Sequence, residues 1–242
     1  MKILKYTKKK NGLYKLILDN GKSMDLYENV ILDNDLLLTK EINDFDKVLR
    51  DNSFYVCYFD ALKMINTRLR SEKEVRDRLN SRDYSSQNVE KTISLLLKQG
   101  YINDKTFANS YVNDAIITTY HGPRKIRSDL KKKGVSDNLI DDALKQYDGD
   151  VQEEKCDKII NSIINRSKGY GKRYIVNKIY SSLLREGFDR NIIDDSVSKI
   201  SFKDNKEIYD KEYNKAYNRL SKKYEGKELE LKIRESLYRK GF

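Results

Sequence analysis

The sequence is poor in the residues that most metal sites, disulfide frameworks and loop-rich folds rely on. Its 242 residues include one proline, two cysteines and one histidine. Cys57 and Cys156 lie far apart and His121 stands alone, so no Cys/His set has the spacing of a zinc site. Both cysteines sit among apolar residues of expected helices. Buried, reduced thiols are therefore expected, which suits a cytoplasmic protein, and no metal or other cofactor is implied. No window approaches the ~20 apolar residues of a spanning helix, and Met1 to Lys10 lacks the apolar run of a signal peptide, so no membrane partner is expected. With Pro123 as the sole proline, glycines and capping residues must supply the punctuation.

What is abundant is charge. Charged residues make up 36% of the chain and hydrophobic ones only 38%, a ratio suited to thin elements stacked along a line rather than to one thick core. The formal net charge of +11 attracts polyanions, either nucleic acid or an acidic protein surface.

The first fifty residues alternate apolar and polar positions at Leu13, Lys15, Ile17 and again at Met24, Leu26, with Asp19-Asn20-Gly21 between them. This pattern predicts a β-hairpin whose Asn20-Gly21 turn adopts positive φ, with a third short strand at Ile3 to Thr7. From about Phe54 the apolar spacing changes to three and four residues, as in Val89, Ile93, Leu96, Leu97, and helices are expected to the end.

The punctuation repeats. An apolar pair ends four residues before a glycine and is followed by a large or branched apolar residue: Ile126/Leu130 before Gly134-Val135, Ile179/Leu183 before Gly187-Phe188, Ile233/Leu237 before Gly241-Phe242. Val75/Leu79 before Asp83-Tyr84 is a fourth, variant copy. Each stop falls where a helix ends in the left-handed conformation, which aspartate also tolerates. Ser85, Ser136 and Asp189 follow as N-caps, while Ser71 with Glu74 forms a capping box and Asp104 opens a helix. The expected fold is mainly α: tandem three-helix repeats in an elongated curved array after a small N-terminal β-hairpin or meander. The segments are 1–52, 53–103, 104–150, 151–204 and an incomplete 205–242.

Two features bear on chemistry. The paired acids Asp141/Asp142 and Asp194/Asp195 fall near helix starts, where carboxylates meet the helix dipole, so capping is expected rather than magnesium-dependent catalysis. No nucleophile triad or phosphate loop stands out, and the chain is not expected to be an enzyme. The basic residues cluster. Arg124, Lys125, Arg127, Lys131, Lys132 and Lys133 face only Asp129 within their stretch, and Arg166, Lys168, Lys172 and Arg173 are interleaved with Tyr170 and Tyr174. Both clusters precede or open the second helix of a repeat, so stacking would align them into a basic stripe offering phosphate contacts and aromatic surfaces.

Arg70-Ser71-Glu72-Lys73-Glu74, Gly100-Tyr101-Ile102-Asn103-Asp104, Phe107-Ala108, Tyr111-Val112, Gly122 and Lys133-Gly134-Val135 together resemble the signature of the RecX family. The likeness is close over residues 54–150 and looser over 151–242. It implies a modulator that binds the filament of RecA recombinase on DNA and lowers ATP hydrolysis and strand exchange, with contacts to single- or double-stranded DNA and no small-molecule substrate. The residues themselves leave open an independent DNA-binding regulator, with one helix entering a groove as in a helix-turn-helix.

Overall fold

Three antiparallel strands in the order β1 (Ile3–Lys8), β2 (Leu13–Leu18), β3 (Ser23–Tyr27) open the chain. The computed structural model describes residues 1–202 and 206–242. The β1–β2 turn carries positive φ at both Asn11 (59°) and Gly12 (70°), and the Lys9 N–H meets Leu13 O at 2.7 Å across a three-residue loop. At the β2–β3 turn only Gly21 has positive φ, which corrects the reading of Asn20. There the Gly21 N–H meets Leu18 O at 3.0 Å and the Leu18 N–H meets Lys22 O at 2.9 Å, the pattern of a three-residue loop closed by a glycine bulge.

The inward residues Ile3, Leu16, Leu18 and Leu26 pack on Val30 and Ile31 of α1 (Glu28–Asp33), on Leu36 of α2 (Leu36–Thr39) and on Val48 of α3 (Phe45–Ile65). Helix α3 thus starts earlier than Phe54, capped by the Asp44 carboxylate, and the expected boundary at 53 falls inside it. Its later residues Phe54, Cys57, Tyr58 and Ala61 form a second core with Val75 and Leu79 of α4 (Glu72–Asn80) and Val89, Ile93 and Leu96 of α5 (Ser86–Lys98). Ser71 and Glu74 form the capping box, and Ser85 caps α5.

The left-handed stop expected at Asp83 does not form. Helix α4 ends through Ser81 at φ −76°, and among the described residues positive φ outside glycine occurs only at Asn11, Asp35 and Lys40. Aspartate carries a Cβ that disfavours the left-handed region, and the first repeat has no preceding repeat whose approach would demand that turn.

The remaining helices are α6 (Asp104–Thr118), α7 (Pro123–Lys132), α8 (Asp137–Leu144), α9 (Gly149–Arg166), α10 (Lys172–Glu186), α11 (Arg190–Ser198), α12 (Lys206–Leu220) and α13 (Gly226–Arg239). Asn103, rather than Asp104, caps α6 by accepting from the Thr106 N–H at 3.0 Å; the Asp104 carboxylate instead accepts from the Glu72 N–H at 2.8 Å. The expected boundary at 151 lies in the first turn of α9, and the one near 205 lies outside the described residues. The chain divides into two compact units, Met1–Phe107 with Lys133–Val135, and Ala108–Lys132 with Ser136–Phe242. In the second unit Cys156, Ile160 and Ile163 of α9, Ile175, Ile179 and Leu183 of α10, Phe188, and Ile193 of α11 form one core; Ala216, Ile233 and Leu237 form a smaller one.

One contact recurs in both units. The start of a repeat's second helix meets the stop glycine at the end of the next repeat's second helix. In the first unit the Ser71 hydroxyl donates to Lys133 O at 2.7 Å beside Gly134. In the second, the Gly122 N–H donates to Glu186 O at 2.6 Å and the Arg124 N–H to Gly187 O at 3.0 Å, while the Gly171 N–H donates to Lys240 O at 2.8 Å. A helix start leaves its first N–H groups without partners in its own helix, and these carbonyls fill that need. Gly134, Gly187 and Gly241 all have positive φ, at 83°, 90° and 86°.

Glycine is required twice over here. A Cβ on Gly122 would lie 2.7 Å from the Gly187 carbonyl and one on Gly187 would lie 2.5 Å from the Lys125 N, both backbone atoms that have nowhere to retreat. Gly122→Ala and Gly187→Ala are therefore expected to cost about 1–3 kcal/mol each, from overpacking and, at Gly187, from the left-handed backbone. Gly149→Ala, with open space around the new Cβ, is expected to stay within ~0.5 kcal/mol of the parent. Urea titration followed by circular dichroism measures all three, and equal midpoints would show that the glycine contact does not hold the repeats.

Candidate basic interface

The two basic clusters sit in different surroundings. In the first cluster each cation meets an acid, and all but one of these acids lie outside the stretch itself. Arg124 pairs with Asp189, Lys125 with Glu186 at 3.0 Å, Arg127 with Asp141 and, at 3.7 Å, with Asp137. Lys131 pairs with Asp137 at 2.8 Å, Lys132 with Asp129 at 3.4 Å and Lys133 with Glu74 at 2.9 Å. The charge that is +5 when only this stretch is counted is locally compensated in the fold.

Three of these pairings belong to repeated positions. Between the second and third helices of a repeat, Arg76 meets Glu90, Arg127 meets Asp141 and the Tyr180 hydroxyl meets Asp194. One acid of each suspected metal pair is thus used within its own repeat, and Asp142 bonds Lys145 at 2.6 Å. Between repeats, at the glycine contact, Glu74 of α4 meets Lys133, while at the next contact Lys125 of α7 meets Glu186 with the signs exchanged. Both pairs are half-buried, and their alternation of sign explains why neither is visible as a motif.

Glu74 has the deepest polar setting of these. Burial pushes its carboxyl up, but hydrogen bonds from Arg68, Lys133 and the Ser71 N–H outweigh that and hold its pKa at about 2. Ser136 and Asp189 occupy N-cap positions with extended backbone but make no side-chain cap bond, since the Asp189 carboxylate is turned to Arg124.

The second cluster is built differently. Tyr170 and Tyr174 stack on each other, with ring centroids 4.0 Å apart, against the α9–α11 core. Arg173 lies over the ring of Tyr238 at 3.5 Å and donates to its carbonyl at 2.6 Å, and Lys172 lies 5.3 Å from the Phe202 ring centre. Arg166 and Lys168 are exposed at the end of α9 and in the turn after it. The sequence reading missed Lys178, Tyr238 and Arg239, which line a cleft of about 470 Å³ together with Arg173, Tyr174 and Asn177. Only the adjacency of Gly241 to Tyr174 brings them together, and no local pattern announces it.

Cys57 and Cys156 are free and buried, and burial pushes the Cys156 thiol up to about 11. Lys155 is also buried; it donates to Ala115 O at 3.1 Å and to Thr119 O, closing the end of α6 as a cation at the negative end of the helix dipole. No helix among the described residues is long and apolar enough to cross a membrane.

Comparison with known proteins agrees with this organisation. Residues 57–96 match the first three-helix domain of RecX and residues 103–144 the second. A regulatory protein RecX of Streptococcus pneumoniae is 31% identical over 255 residues, spanning 100% of this chain and 95% of its own length. One of Oceanobacillus iheyensis is 27% identical over 249 residues, spanning 97% and 90%. Among solved structures, RecX from Lactobacillus salivarius superposes with a TM-score of 0.59 at 36% identity, covering 62% of this chain and 97% of that one. A second regulatory protein RecX superposes at 0.68 with 28% identity, covering 80% and 97%.

Two outcomes follow from the ion pairs. Lys125→Glu sets two carboxylates against each other at the contact and is expected to cost about 1–2 kcal/mol, of which Glu186→Lys in the same chain restores at least half; a double-mutant cycle read by urea titration checks this, and strict additivity would refute it. Glu74 is depressed in the folded state, so its contribution is complete above the ordinary value of 4.5 and is lost as pH falls toward about 2. Melting temperature is expected to drop over that range, and Glu74→Gln, less stable at neutral pH, to show a shallower drop.

Proposed function

The chain belongs to the RecX family of regulatory proteins, and from that premise we propose that it acts by binding the RecA recombinase filament on DNA and inhibiting or modulating its activity. Family membership carries this reading, through a relative 31% identical over essentially the whole chain. The structure supports it in kind: second-helix starts and ends are consumed in joining repeats, leaving wet, charged helix faces for a macromolecular partner. One acid of each pair that could have suggested a nuclease is engaged in a structural contact, and the family's name is regulatory rather than catalytic. We keep the repeat segments of the sequence reading as the functional modules, with the first enlarged to include all of α3, and take the cytoplasm as the place of action.

The cations divide under this reading. Lys125, Arg127 and Lys133 are held in the fold, whereas Arg124, Lys131, Lys132, Arg166, Lys168, Lys172 and Arg173 lie far enough in solvent to reach phosphates, with Tyr170 and Tyr174 shaping the surface beside them. An exposed ion pair is worth only ~0–1 kcal/mol, so a phosphate can displace the acid from an exposed lysine. The alternative, an independent DNA-binding regulator, would need a helix presenting base-reading side chains. Helix α7 commits its Arg127 to Asp141 instead.

Titration into a RecA–single-stranded DNA ATP-hydrolysis assay tests the proposal. Hydrolysis is expected to fall with added protein, to half its rate or less at saturation. Unchanged hydrolysis alongside tight binding to bare duplex DNA would favour the alternative.

A further inference from the structure

The two glycine contacts of the second unit are copies of one arrangement, yet their charges differ. At Gly122 and Gly187 the cations at the helix start are met by acids from the next repeat: Arg124 by Asp189 and Lys125 by Glu186. At Gly171 and Gly241 the corresponding residues are Arg173 and Tyr174, and the position of Glu186 is taken by Lys240. Lys240 turns away to Glu212, a nearly buried carboxylate that also holds Lys215 at 2.7 Å. Among the described residues, no carboxylate lies at ion-pair distance from Arg173, Lys178 or Arg239, and none lines the cleft they share. Helix α10 is also longer than α7, with 15 residues against 10, and its additional turn extends the cleft wall.

We propose that this cleft, between the start of α10 and the end of α13, is a subsite for single-stranded nucleic acid, with phosphate on Arg173, Lys178 and Arg239 and a base against Tyr238. The inference deepens the filament reading and rests on it for the biological context, but its chemistry stands on the cleft alone. Three uncompensated cations in a concave surface focus their field on an anion. Asn177 adds hydrogen-bonding capacity on the same wall. The cleft volume of about 470 Å³ falls within the ~300–1,000 Å³ of ordinary ligand sites.

The aromatic component selects nucleic acid over an acidic peptide. Tyr238 is 62% exposed although Arg173 lies over its ring, and such a half-covered, cation-backed aromatic is a platform on which a base stacks. An acidic peptide would use the cations and leave the ring idle. The exposed first-cluster lysines, by contrast, are expected to contribute less per residue, because each exchanges an acid for the phosphate rather than gaining a partner.

The test is fluorescence anisotropy of a short labelled oligo(dT) over a salt series, with polyglutamate as competitor and the RecA ATP-hydrolysis assay run in parallel on the same proteins. Lys178→Ala with Arg239→Ala is expected to weaken oligo(dT) binding roughly tenfold or more and to flatten the log–log salt slope by ~0.7 per lost contact. Tyr238→Ala is expected to weaken it at least about fivefold with little change in slope, while Tyr238→Phe binds like the parent. Lys131→Ala with Lys132→Ala is expected to weaken binding less than Lys178→Ala with Arg239→Ala does, since a phosphate must displace the acid each of these lysines already holds. Melting temperatures near the parent's confirm that each variant is folded; were Tyr238→Ala to unfold, Tyr238→Leu, which keeps bulk but not the ring, would carry the same comparison. Parent-like binding by the Lys178/Arg239 variant, failure of the parent to bind oligo(dT), or polyglutamate competing as well as oligo(dT) of equal charge would each overturn the subsite. Loss of oligo(dT) binding in the variants, with hydrolysis by RecA unaffected even by the parent, would uphold the subsite and overturn the filament reading.

Discussion

Two helix ends meet backbone to backbone at Gly122 and Gly187, too close for a Cβ on either, and most of what is distinctive in this protein depends on that approach. The free N–H groups at the start of one helix and the free carbonyls at the end of another satisfy each other, at 2.6 Å and 3.0 Å, so neither end requires water or a dedicated side-chain cap. The same solution recurs at Gly171 with Gly241 and, with a serine hydroxyl as donor, at Ser71 with Lys133. Because repeats are joined through polar backbone at helix ends, each needs only a thin apolar core. That is how a chain with 36% charged residues folds at all.

The parts of this legible in the sequence are those fixed by local backbone geometry. Gly134, Gly187 and Gly241 could be recognised as helix stops because left-handed φ excludes nearly everything else, and Ser71 with Glu74 because the capping box is contained in four residues. What lay beyond the sequence depends on partners brought from afar. The acids that neutralise Arg124 and Lys125 come from the next repeat, and the exchange of sign between Glu74–Lys133 and Lys125–Glu186 erases any conserved-looking pattern. Asn11-Gly12, which makes the β1–β2 turn, is harder to see than Asn20-Gly21 because flanking lysines obscure the alternation of β1. Asp83 misled because only its local chemistry could be judged. The need for glycine arises from a preceding repeat, and the first repeat has none.

Charge therefore has two roles here that the composition cannot separate. Cations at the first two repeat contacts are each answered by a carboxylate. At the last contact the acid position holds Lys240, which is drawn to Glu212, and Arg173 rests instead on an aromatic ring. Functional charge is thus expected where the repeat's own pairing rule lapses rather than where basic residues are densest.

Native-state hydrogen exchange at the helix starts tests the central claim most directly. The amide protons of Gly122, Arg124 and Gly171 lie where an isolated helix has no acceptor for them, so they would exchange as fast as exposed loop amides if the repeats were merely neighbours in sequence. The account predicts that all three are protected to the same degree as core amides such as those of Ile179 and Leu183, and that Gly187→Ala removes protection at Gly122 and Arg124 while sparing Gly171. Unprotected Gly122 and Arg124 amides in the parent protein would contradict it.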